Sequence, residues 1–114
     1  MDRTAVIALS LVTTLGTDVS AQGYRAQENA LLLCYTTAAL TYALQTCERT
    51  ATLIDAVFGK CAVDERKLQD AVERSEHVGV ETSTVVIRQV RDDAKPKLIS
   101  LIIDTRLKSG NSCH

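Results

Sequence analysis

From Asn29 to Cys47 the chain carries no charged side chain, and this run leads into a segment that ends at Cys61. Ala and Leu dominate it, which favours a helix. Ala30, Leu33, Thr37, Leu40, Leu44, Cys47, Ala51, Ile54 and Phe58 recur at alternating three- and four-residue spacing. That spacing predicts helix with one buried apolar face, and nothing breaks it strongly before Gly59.

A single rod over this stretch would set Cys34 and Cys47 roughly 20 Å apart, whereas a disulfide needs Cα atoms about 4.4–6.8 Å apart. A hairpin instead lets cysteines pair and buries two apolar faces. Its first helix would run from about Arg25 to Leu44, with the turn near residues 46–47. Thr46 serves as N-cap of the next helix, and Glu48 sits in its first turn. Equal arms bring Cys34 opposite residue 59, within reach of Cys61.

The matching positions Cys34, Thr46, Glu48, Ala51, Ile54, Cys61 and Arg106 form a pattern over about residues 30–107. A cysteine lies in an Ala/Leu helix, a polar break follows, then a short helix to a second cysteine, then charged helices. This resembles small secreted all-helical alphaproteobacterial proteins. That group has no assigned function, so the resemblance implies the helical hairpin and no site. Cys47 and Cys113 depart from the pattern.

Residues 1–21 read as a secretory leader. Arg3 opens it, Ala5 to Gly16 forms its apolar core, and Val19-Ser20-Ala21 fits the small-residue cleavage rule. Asp2 offsets the charge of Arg3. The alternative is an N-terminal arm on a cytosolic chain. Cleavage would leave one domain, residues 22–114. Without Asp2, Arg3 and Asp18, 12 basic and 12 acidic residues remain of the 13 and 14 present. Such a balance invites neither nucleic acid nor an anionic membrane surface. Export, periplasmic or secreted, makes two disulfides the simplest state of four cysteines. The preferred connectivity is Cys34–Cys61 with Cys47–Cys113. Next comes Cys47–Cys61 with Cys34–Cys113. Cys34–Cys47 with Cys61–Cys113 conflicts with the helix arithmetic.

Residues 22–61 hold 6 charged side chains and residues 62–114 hold 18, which predicts the hairpin as an inner layer and the later helices as its solvated cover. Gly59-Lys60 should end the second helix. Asp64 should cap a third, running from Glu65 to about His77, with Leu68, Ala71, Val72 and Ser75 on one face and Glu65, Arg66, Asp70, Glu73 and Arg74 elsewhere. Gly79 and the β-branched run from Val78 to Ile87 admit a strand, but the spacing of Val78, Thr82, Val85, Val86 and Gln89 or Val90 favours continued helix, bent at Gly79. Pro96 should open a last helix, with Leu98, Leu101, Ile102 and Thr105 inward, ending near Lys108. The expectation is an all-α fold, a small four-helix bundle made of a helical hairpin plus two further helices and stapled by disulfides.

No phosphate-binding glycine loop, nucleophile elbow, zinc-protease helix or paired-cysteine redox motif occurs. The chain has two histidines, His77 and His114. The reading is therefore a non-catalytic binding or interaction module without a cofactor, whose partner is a protein or a small apolar ligand. Two sites suggest themselves. Tyr35 and Tyr42, seven residues apart, could line an apolar cleft closed by Leu31, Ala38 and Ala39, although such tyrosines more often edge a core. Glu73, His77 and Glu81, four apart, could bind a divalent ion from one helix face, although a solvated acidic face is the plainer account. The second function class is a thiol- or metal-handling protein built on these residues and on unpaired cysteines. Arg88, Arg91 and Lys95 read as part of a charged, solvated face, interrupted by Asp92 and Asp93. The uncharged run is nearly long enough to span a bilayer, but its Thr, Asn and Gln side chains favour a bundle helix and no stable membrane insertion.

Overall fold

A computed structural model describes residues 19–110 as four helices. They are α1 (Val19–Gln45), α2 (Thr50–Lys60), α3 (Ala62–Glu76) and α4 (Val80–Lys108). No strand occurs among the described residues, and the segment in question from Val80 to Val90 is helical. Most of the expected leader lies outside the described residues. Its last three, Val19 to Ala21, fall in the first turn of α1.

The hairpin is present. Cys34 and Cys61 form a disulfide with a Cα separation of 5.9 Å. The four-residue connection after Gln45 is longer than expected. Thr46 does not cap α2; its Oγ1 accepts a hydrogen bond from the Glu48 amide at 3.4 Å, and Arg49 takes the N-cap position. Arg106 closes the other side of this turn. Its Nη2 donates to the Thr46 carbonyl at 2.9 Å and its Nε to the Ala43 carbonyl at 3.3 Å. It thus binds a carbonyl of the last turn of α1 and one in the connection that follows.

The joint between α2 and α3 is a single residue, Cys61, which is both the C-cap of α2 and the N-cap of α3. Asp64 is therefore a first-turn acid of α3 and not its cap. It still favours the positive end of the helix.

Two expected boundaries move. The chain breaks where Gly79 suggested a bend: His77 adopts the left-handed conformation, φ 54°, and Gly79 is extended. The next helix then runs through Pro96 without stopping. Proline removes the hydrogen bond to the carbonyl four residues earlier. Here both Pro96 and Asp92 are on the exposed side, so water can serve the Asp92 carbonyl.

The expected layering also changes. The core takes residues from all four helices: Leu31, Tyr35, Ala39 and Ala43 from α1; Leu53, Ile54 and Val57 from α2; Leu68 and Val72 from α3; Ala94, Leu98 and Ile102 from α4. On α1 the buried stripe is Leu31, Tyr35, Ala38, Ala39 and Ala43, whereas Ala30, Leu33, Thr37, Leu40 and Leu44 face outward. The run holds two apolar stripes. The three alanines on the inner one let neighbouring helices approach closely, since interaxial distance follows side-chain size at the contact.

Candidate functional site

A buried polar network joins α1, α3 and α4. The Tyr35 hydroxyl donates to Glu65 Oε2 at 2.5 Å. Arg91 Nε donates to the same oxygen at 2.7 Å, and Arg91 Nη2 donates to Oε1 at 2.6 Å. The fork-to-fork geometry is the strongest arrangement for this pair. Phe58, from α2, packs edge-on against Tyr35 with ring centroids 5.1 Å apart, and the Arg91 guanidinium lies 5.0 Å from the Phe58 centroid. Glu65 is buried, so its charge needs this pairing.

Glu65 was expected on the solvated side of the third helix. It instead shares the buried face of α3 with Leu68 and Val72. The signal was available: positions 65, 68 and 72 are three and four apart. Arg91, read as part of a solvated stripe, likewise precedes Ala94 and Leu98 at that spacing, and both of those are buried.

Burial, together with donation to the Glu65 carboxylate, raises the Tyr35 phenol well above its ordinary value of 10.0, with Arg91 opposing only in part. The folded phenol therefore stays protonated at a pH where the unfolded one has ionised. Stability from this group is complete below about pH 10 and is lost as pH rises further. The unfolding free energy should fall above pH 10 by up to about 1.4 kcal/mol per pH unit from this residue alone. Urea titrations across that range should show a shallower decline in Tyr35→Phe than in the wild type. Tyr24, also raised by burial and by the Glu28 carboxylate, acts in the same direction, so Tyr24→Phe should flatten the decline as well. If Tyr35→Phe keeps the wild-type slope, the assignment fails.

Tyr35 is fully buried, its hydroxyl is held by Glu65, and it borders a cleft between α1 and α4 with Leu32 and Leu98. Tyr42 is half-buried and borders a groove of about 610 Å³ on the outer side of α1, with Leu33, Thr37, Ala38 and Thr41 along it and Lys60 of α2 at its edge. The two tyrosines thus do not share a cleft.

Glu73, His77 and Glu81 do not share a helix face. Glu73 belongs to α3, His77 is the turn residue after it, and Glu81 lies in the first turn of α4. Glu73 is engaged otherwise: its Oε2 accepts from the buried Ser83 hydroxyl at 2.6 Å, which itself accepts from Gln69. Among the described residues no group of three or more potential ligands is placed to hold a metal ion. The reason is the left-handed residue at 77, which ends the helix that the four-residue spacing requires.

Of the four cysteines, Cys34 and Cys61 are joined as expected. That leaves Cys47 and Cys113 for the other expected bridge, and Cys113 lies outside the described residues.

An apolar stripe is left open on the outer face of α1. Leu33 is 67% exposed, Leu44 56% and Leu40 36%. With Ala30 and Thr37 these follow a 3-4-3-4 spacing, the repeat of a coiled-coil seam. No helix among the described residues is long and apolar enough to cross a membrane. The seam is thus a stripe on a bundle helix. Compared with family models, with curated proteins and with solved structures, the chain matches none.

Proposed function

We propose that this chain is an exported, non-catalytic interaction module that offers the outer seam of α1 to an apolar helix of a partner protein. The observation that carries the reading is the exposure of Leu33, Leu40 and Leu44 on a helix that bears no charge from Asn29 to Gln45. Exposed apolar patches of this kind mark interaction surfaces. Heptad spacing suits a helix more than a strand or a loop. The lack of charge selects an uncharged partner face, and a second copy of this chain supplies one of the same spacing. Support for export comes from the Cys34–Cys61 disulfide, since such bonds persist in oxidising compartments.

Sedimentation equilibrium over micromolar to millimolar protein tests the reading. The expected result is reversible self-association, abolished by Leu33→Asp with Leu40→Asp. Both positions are exposed, so the helical circular dichroism should be unchanged. A parallel titration with the apolar dye N-phenyl-1-naphthylamine separates the ligand reading. Dye binding without self-association, lost in the same variant, would replace the protein partner with a small apolar ligand. A monomer that binds no dye would reject both.

A further inference from the structure

A second site is bordered by the Glu65–Arg91 pair. Between α3 and α4 runs a cleft of about 420 Å³ whose walls include Arg66, Arg88, Arg91 and Glu65, with Ala62 and Ile87 as apolar surface. Three positive charges and one negative meet there. The Glu65 and Arg91 charges offset each other in their ion pair, which leaves Arg66 and Arg88 as the unbalanced positive charges. The Arg66 and Arg88 side chains take part in no ion pair or hydrogen bond among the described residues. The Arg91 side chain is 41% exposed and lines the cleft, and its Nη1 is not used by Glu65. The other amide donor at this wall, Gln69 Nε2, is committed to Ser83 and Thr84. The cleft therefore concentrates guanidinium donors in a chain whose formal net charge is −1.

We infer that this cleft binds a small organic dianion, a phosphate monoester whose ester group rests on Ala62 and Ile87. Guanidinium groups bind phosphate oxygens by paired hydrogen bonds and are less strongly hydrated than ammonium groups, so they suit a partly dehydrated site. Glu65 holds Arg91 in a fixed orientation, which lowers the entropy lost on binding. The apolar surface distinguishes an organic ester from free phosphate. The inference is independent of the α1 seam, which lies on another helix.

Phenyl phosphate is the probe. Amide chemical shifts of the full chain are followed at low ionic strength as it is added. Saturable shifts confined to residues around the cleft are expected, and affinity for inorganic phosphate should be clearly lower. Arg66→Gln and Arg88→Gln should each weaken binding by roughly tenfold, the loss of one charge-assisted hydrogen bond. Both residues are exposed, so the fold should survive, as thermal melts would verify. Arg74→Gln, an exposed arginine on α3 outside the cleft, makes the same change in net charge and should leave affinity within about twofold. No saturable shift up to millimolar probe would overturn the inference. So would an equal loss in Arg74→Gln, which would mean net charge alone, or equal affinity for inorganic phosphate, which would mean an adventitious ion only.

Discussion

Replacing both bridged cysteines, Cys34→Ala with Cys61→Ala, will lower the unfolding free energy by about 3–4 kcal/mol. The loop closed by the bridge spans a sequence separation of 27, and loop-entropy arithmetic for that length gives this magnitude. Cys61 is fully buried, so the truncation also opens a small cavity and moves the result toward the upper figure. Urea unfolding of the double variant beside the wild type measures it. A loss below about 1 kcal/mol would show that packing alone holds α1 against the α2–α3 joint, contrary to the account of bridge stabilisation used here.

Removing the guanidinium from the buried network should have the next largest effect. Arg91→Met leaves the Glu65 carboxylate buried with only the Tyr35 hydroxyl as partner. Stripping one member from a fully buried pair costs about 3–5 kcal/mol. Glu65 is only 8% exposed, but Arg91 is partly wet, and solvent screening brings the expected loss to about 2–3 kcal/mol. The triple variant Tyr35→Phe, Glu65→Leu, Arg91→Met should recover most of that loss, because it removes every polar member together and leaves none unpaired. Chemical denaturation of the single and triple variants decides the matter. If the triple variant is less stable than Arg91→Met, the network contributes through its mutual attraction beyond the cost of dehydrating its members.

The all-helical fold and the Cys34–Cys61 pairing were legible because both rest on strong, short-range constraints. Ala/Leu runs propagate helix, and the reach of a disulfide excludes a straight rod. The outward face of α1 was less legible. Ala30, Leu33, Thr37, Leu40 and Leu44 score as apolar as the true inner stripe. What chose between them was the small size of Ala38, Ala39 and Ala43, which matters only once a second helix is present. Charge alone placed Glu65 and Arg91 outside the core. Their spacing relative to Leu68 and Ala94 pointed inward, and only pairing across 26 positions reconciles the two signals. Pro96 suggested a helix start because proline fits there well; an exposed proline also tolerates helix on both sides when water meets the orphaned carbonyl. At His77 a single left-handed residue dispersed a potential metal face that four-residue spacing had assembled on paper.

The exposed connection after Gln45 lies inside the ring that Cys34 and Cys61 close. A protease that cuts there, for example after the exposed Arg49, opens the ring without separating its pieces. The severed halves stay tethered through the Cys34–Cys61 sulfur atoms, and the core they share on either side of the cut is left in place. Such a chain tolerates a backbone break at this exposed turn without shedding either fragment.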